Sequence, residues 1–196
     1  STKISKSLGN AINPYDIVNS YGLDQVRYFL FREVPFGQDG DFSEKALITR
    51  VNADLSNNFG NLVQRICSFI NKNCNNIVEN NFDKLNSDDQ QLLDSSLEKF
   101  EKYKLFLEKQ EIDKSIIEVM NLLHEANVYC DKSAPWLLKK TNPERMNIVL
   151  SLLIEIIRRS SIMLFPIIPD STKTILNILN TNYDLSFKTI NKTPNK

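Results

Sequence analysis

The sequence predicts an all-α protein, a helical bundle preceded by a small helical segment. Three observations lead there. Apolar residues recur at steps of three and four along most of the chain. No stretch sustains the alternation of a β-strand. Helix-start signals stand at Asn13-Pro14, Ser43 and Asn142-Pro143. At 196 residues the chain is long enough to bury a sizeable core.

The first predicted helix starts where Asn13 caps and Pro14 fixes the first turn. It turns Ile17 and Val18 inward and ends at Gly22. Leu23 to Val34 reads as a second helix, with Leu23, Val26, Phe29 and Leu30 inward and Arg27 and Arg32 as polar outliers. Pro35 to Phe42 holds a proline and two glycines and reads as a loop. Ser43 then caps a long helix to about Asn73, whose apolar stripe is Leu55, Phe59, Leu62, Ile66 and Phe69/Ile70. Gly60 within it predicts a close helix contact or a slight bend, and Asn71 to Asn81 predicts a connection.

Ser87-Asp88-Asp89 opens a strongly charged, outer helix with Leu92, Leu93, Leu97, Phe100 and Tyr103 or Lys104 inward. Its paired carboxylates suit the helix macrodipole. Glu111 to Cys130 carries Ile112, Ile116, Met120, Leu123 and Asn127 on one side. Ser133-Ala134-Pro135-Trp136 interrupts, followed by a short turn at Leu137-Leu138. From Asn142-Pro143-Glu144 a new helix starts, and Ile148 to Phe165 is apolar nearly all round. Glu155, Arg158, Arg159 and the terminating Pro166 argue against a membrane span and for the buried central helix of a bundle. A last helix runs from Pro169 to about Leu179, and the polar stretch Thr181 to Lys196 is expected to fray or pack loosely.

Lys+Arg and Asp+Glu are equal at 24 each, so the formal net charge is zero. That excludes a general electrostatic nucleic-acid binder, and any RNA contact must come from a local patch. Cys67, Cys74 and Cys130 form no CxxC pair and lie near no histidine cluster, so neither a metal site nor a disulfide framework is expected. Reduced thiols and a cytoplasmic protein follow. No apolar signal segment opens the chain. The single histidine, His124, reads as a surface or internally satisfied residue.

Three stretches carry candidate chemistry. Lys3-Ile4-Ser5-Lys6-Ser7, followed by Gly9, offers two ammonium groups and two hydroxyls that suit phosphate oxygens; a solvated tail has the same composition. Asn57, Asn61 and Arg65 stand at i, i+4 and i+8, roughly 130° from the apolar stripe at about 100° per residue. Their directional donors and acceptors suit exposed base edges, although solvated polar faces are common on helices. Trp136, the only tryptophan, fits either core packing or a stacking platform for an unpaired base.

The order of residues in the first stretch resembles the K-M-S-K-S loop of class I aminoacyl-tRNA synthetases, with Ile4 in the methionine position. Further parts extend the likeness: Phe36 to Ser43, Asn52-Ala53-Asp54-Leu55, Asn61-Leu62-Val63-Gln64-Arg65 and Ala134-Pro135-Trp136. From Lys3 to about Asn180 the chain is similar to the C-terminal part of the methionyl-tRNA synthetases. The resemblance implies a lysine loop in which Lys3, Ser5, Lys6 and Ser7 act in catalysis, Lys3 and Lys6 by contacting ATP phosphates. It implies that Asn61 and Arg65 hydrogen-bond the anticodon loop of tRNA(Met) and that Trp136 stacks on it, with Asn57 one turn before in support.

It further implies a division into a catalytic-loop and stem-contact segment over 1–42, an anticodon-binding bundle over 43–182 and a polar tail over 183–196. The complete enzyme would join methionine to its tRNA through an adenylate, using ATP and Mg²⁺. The Rossmann half, the methionine pocket and the zinc-bearing insertion of that family are not in this sequence. This chain is therefore expected to be a fragment that holds no cofactor and does not activate methionine alone. A cytoplasmic monomer without membrane contact is expected. The competing readings are a stand-alone tRNA-binding helical module and a helical scaffold whose polar row is only solvated.

Overall fold

The computed structural model describes residues 13–34, 37, 42–79, 82–180 and 185–190. The lysine loop, Lys3 to Ser7, lies outside the described residues, as do most of the Pro35–Phe42 loop and residues 181–184 and 191–196.

All described regular structure is helical. The order is α1 (Pro14–Tyr21), α2 (Leu23–Glu33), α3 (Glu44–Arg50), a π-wound segment (Val51–Gly60), α4 (Asn61–Asn73), a 3₁₀ turn (Phe82–Lys84), α5 (Ser87–Glu108), α6 (Ile112–Ser133), α7 (Pro135–Thr141), α8 (Pro143–Leu164), α9 (Pro169–Ile178) and a 3₁₀ turn (Phe187–Thr189). The capping signals work as the sequence predicts. The side chains of Asn13, Ser43 and Asn142 accept from the backbone N–H of Tyr15, Ala46 and Arg145. For α5 the cap is Asn86, one residue earlier than Ser87; it closes a reciprocal capping box with Asp89. At the end of α4, Asn75 and Asn76 adopt positive φ, a conformation asparagine tolerates.

Helix α8 is the central helix. It packs on α4, α5, α6, α7 and α9, and nearly every residue from Met146 to Leu164 is buried. The expected charged interruptions are interior too. Glu155 accepts from Arg158 Nε at 2.7 Å and from Arg159 Nε at 2.6 Å. Arg159 also donates to the Ser96 hydroxyl at 2.7 Å, and Arg158 to the Thr189 carbonyl at 3.1 Å. This places Ser96 on the buried face of α5, where the apolar pattern predicts Leu97.

A second buried carboxylate ties three helices together. Asp89 takes a two-pronged hydrogen bond from Arg145, at 2.5 and 2.6 Å, and a third from the Tyr129 hydroxyl at 2.6 Å. Burial pushes its carboxyl up. The donors Arg145, Tyr129 and Asn86 N outweigh this and hold it below the ordinary carboxylate range. Asp89 thus does more than complement a helix dipole.

Helix α2 buries Val26 and Phe29 as predicted, but its inward face is rotated away from Leu23 and Leu30. Leu23 and Leu30 are 52% and 48% exposed, while Asp24, Val26, Tyr28 and Phe29 are buried. The reason is polar. Asp24 Oδ2 accepts from Ser171 N at the start of α9, and Tyr28 donates to Asp54 in the π segment. Arg27 donates to the carbonyls of Pro166 and Ile167 just beyond α8. A small core of Ile17, Val26, Phe29 and Leu47 joins α1, α2 and α3. Gly60 makes no close contact with another helix: a Cβ there would stand 2.9 Å from the carbonyl of Leu55 in the same segment. The expectation of a loose tail is corrected over 185–190. Ile190 is fully buried, and the Phe187 ring meets Phe100 and Tyr103 edge-on at 5.9 and 5.7 Å.

Candidate nucleic-acid interface

The predicted long helix is continuous from Glu44 to Asn73 but changes its winding. Asn61 N–H reaches the carbonyl of Ser56, five residues back, which marks the widened turn of a π segment. Phe59, Leu62 and Ile66 remain buried, and Asn57 and Asn61 remain exposed. The change of winding therefore leaves the apolar stripe and the amide row on separate sides.

Across from this row lies α6. Between the two helices is an open depression of about 370 Å³, lined by Ala53, Asn57, Asn58, Asn61 and Arg65 on one side and His124, Asn127 and Asp131 on the other. Its floor is built from two asparagines. Asn58 donates to the Met120 carbonyl at 3.0 Å. Asn127 donates to Asn58 Oδ1 at 3.0 Å and also to the Leu123 carbonyl. Asn127 Oδ1 is buried without a partner among the described residues.

Arg65 is held in place from two directions. Its Nη2 donates to Asp131 Oδ1 at 2.5 Å, and its guanidinium carbon stands 5.2 Å from the centroid of the Trp136 ring. The Asp131 hydrogen bond holds the guanidinium above its ordinary range. Trp136 is 42% exposed on the second residue of α7, so it is not core filler. It is placed by the corner before it, where Ala134 sits in the left-handed region and Pro135 opens α7. Lys139 of α7 donates to Asn73, tying α7 to the end of α4.

Asn57, Asn61, Arg65 and Trp136 therefore lie together on one face. The aspartate that fixes Arg65 and the Asn58–Asn127 floor were missed from sequence, whereas His124 is exposed, in line with its reading as a surface residue. The i, i+3, i+7 spacing of His124, Asn127 and Asp131 on α6 is the signal that could have shown them on one side of that helix. Among the described residues no group of three His, Cys, Asp or Glu could hold a metal ion, and no helix is long and apolar enough to cross a membrane.

An all-α chain that gathers amides, a guanidinium and a half-exposed tryptophan on one open face fits the RNA-contacting part of a tRNA synthetase. In agreement, residues 1–67 match the family model of class I (M) tRNA synthetases. Residues 81–193 match the anticodon binding domain of methionyl tRNA ligase; that match covers more than half of the chain, and the chain belongs to this family.

Relatives agree. The chain is 45% identical over 182 residues to the methionine–tRNA ligase of Rickettsia felis, covering 92% of this chain and 36% of that protein. To the enzyme of Brucella suis it is 44% identical over 177 residues, 90% of this chain and 34% of that one. A solved methionyl-tRNA synthetase of Mycobacterium tuberculosis, in complex with methionyl-adenylate, superposes with a TM-score of 0.90 at 35% identity. That superposition covers 96% of this chain and 38% of the other. The chain thus spans about a third of the length of the curated relatives it matches.

Proposed function

We propose that this chain is the tRNA-reading part of a methionine–tRNA ligase and that it recognises the anticodon loop of tRNA(Met). The observation that supports the reading is that Asn57, Asn61 and Arg65 line one depression, with the half-exposed Trp136 against the Arg65 guanidinium. Trp136 offers a stacking surface for an unpaired base. Asn61 and Arg65 offer directional groups to base edges, and Asn57 supports them one turn away. Asp131 and Trp136 hold the guanidinium before any ligand arrives, which lowers the ordering cost of binding.

The complete protein would attach methionine to its tRNA through a methionyl-adenylate, with ATP and Mg²⁺ bound mainly by the catalytic part its relatives carry. Within this chain Lys3, Ser5, Lys6 and Ser7 would serve that chemistry, Lys3 and Lys6 by neutralising charge that builds on the departing pyrophosphate. A cytoplasmic monomer, divided at about residues 42 and 182, belongs to the same reading.

The test is binding of an anticodon stem-loop carrying C-A-U against one with a scrambled loop. Preference for C-A-U that is lost in Trp136→Ala is the expected result. Equal binding of both loops, unaffected by the substitution, would sink the reading. In the complete enzyme, Lys6→Ala should slow adenylate formation, while Arg65→Ala should raise the KM for tRNA and leave adenylate formation nearly intact.

A further inference from the structure

The depression has two walls, and the reading above uses only one of them. On the other wall, His124, Asn127 and Asp131 share a face of α6. Their situations differ. Asp131 is engaged by Arg65, and the Asn127 amide nitrogen is engaged by Asn58 and Leu123. His124 is exposed and has no hydrogen-bond or ionic partner among the described residues. In this it matches Asn57 and Asn61 opposite, which are also exposed and also without partners.

The surroundings of His124 leave it free to turn toward the depression. The two acidic groups of its own helix nearest the depression are engaged elsewhere: Glu125 binds Lys99 of α5 at 2.7 Å, and Asp131 binds Arg65. The π segment facing it contributes Ala53, Asn57 and Asn58, which are uncharged. The charged groups around the depression, Arg65 and Asp131, pair with each other, and His124 joins no ion pair among the described residues. An imidazole offers a flat ring for stacking and two ring nitrogens, one donor and one acceptor when neutral, so it can read a base edge as an amide does.

We infer that His124 is a further base-reading residue, on the wall opposite Asn57 and Asn61, so that an anticodon base entering the depression is contacted from both sides. This rests on the anticodon reading above and adds a specificity-determining residue to it. A base reader must act unequally on different bases. A residue that only contributes general attraction, or only shapes the helix, would not.

The experiment uses the complete protein with His124→Ala and His124→Gln, alongside Trp136→Ala as the reference. The probes are the C-A-U stem-loop and three loops each altered at one anticodon base. His124→Ala should weaken C-A-U binding about 3- to 10-fold, the size of one hydrogen bond. It should shrink the preference over one of the three altered loops and leave the other two preferences intact. His124→Gln, which keeps a donor and an acceptor, should recover most of the loss. Binding that is unchanged in His124→Ala, or weakened equally for all four loops, overturns the inference while the Trp136→Ala effect keeps the anticodon reading alive. If Trp136→Ala also binds all loops as the parent does, the anticodon reading itself has failed.

Discussion

Around Glu155 and around Asn61 the molecule places polar side chains in opposite ways. Inside α8, Glu155 and its two arginines lie out of water, and each charged group has a partner at 2.6–2.7 Å. At the depression, Asn57, Asn61 and His124 face solvent without partners among the described residues, while the floor beneath them is closed by Asn58 and Asn127. A buried charge left unpaired is costly, so the interior cluster must be complete for the chain to fold. An exposed amide loses nothing by standing free, so it stays available to a ligand. Polar residues are thus tied up by the fold in one place and, in the proposed reading, left available for recognition in the other, and the difference is whether water can reach them.

That contrast can be broken by substitution, and the largest effect belongs to the interior. Glu155→Ala would leave Arg158 and Arg159 buried without their carboxylate and should cost about 3–5 kcal/mol in urea denaturation. A loss below about 1 kcal/mol, within reach of an ordinary surface change, would remove the cluster from any role in stability.

Next comes Asp89. Arg145→Ala leaves its carboxylate buried with only Tyr129 and Asn86 and should cost about 3 kcal/mol. The pH dependence has a definite sign. Because the folded carboxyl is held low, its stabilising contribution is complete above the unfolded value, about 3.9. It is lost as pH falls through the lower folded value. Stability measured from about pH 5 downward should therefore drop, and Asp89→Asn should flatten that drop.

At the surface the order of effects reverses between assays. Trp136→Ala should leave the melting temperature nearly unchanged yet weaken anticodon stem-loop binding by about 1–3 kcal/mol, the worth of one stacked base. Asn61→Ala is the mildest: stability within about 0.5 kcal/mol of the parent and binding weaker by about 1 kcal/mol. A melting temperature that falls several degrees in Asn61→Ala would show that the amide supports the fold, and the contrast would need redrawing.

Much of the fold was legible because caps are local. Asn13-Pro14, Ser43 and Asn142-Pro143 announce their helices within four residues, and the apolar run of α8 announces its central place. What stayed hidden depends on partners far along the chain. Leu23 and Leu30 face outward because Asp24 and Tyr28 are drawn in by Ser171 and Asp54. Ser96 is interior because of Arg159, 63 residues away. The row Asn57, Asn61, Arg65 could be read because it lies on one helix. Asp131, the Asn58–Asn127 floor and His124 could not, since they matter only once α6 packs across from that row. The π winding is silent too: its i to i−5 hydrogen bonds leave the apolar stripe in place.

Under the proposed anticodon reading, the corner at Ala134 has a consequence for the kinetics of recognition. A non-glycine residue at φ 41°, ψ 61° carries a penalty of about 1–2 kcal/mol, and Pro135 beside it has a fixed φ. Glycine at 134 would remove that penalty, and the stability of the fold should rise or hold. It would also let the start of α7 wander, so that Trp136 would present its ring over a wider range of angles. Encounters with RNA would then more often end without stacking. If Trp136 stacks on a base as proposed, the strained alanine favours productive collision, because it narrows the orientations of the one indole the chain possesses before a base arrives.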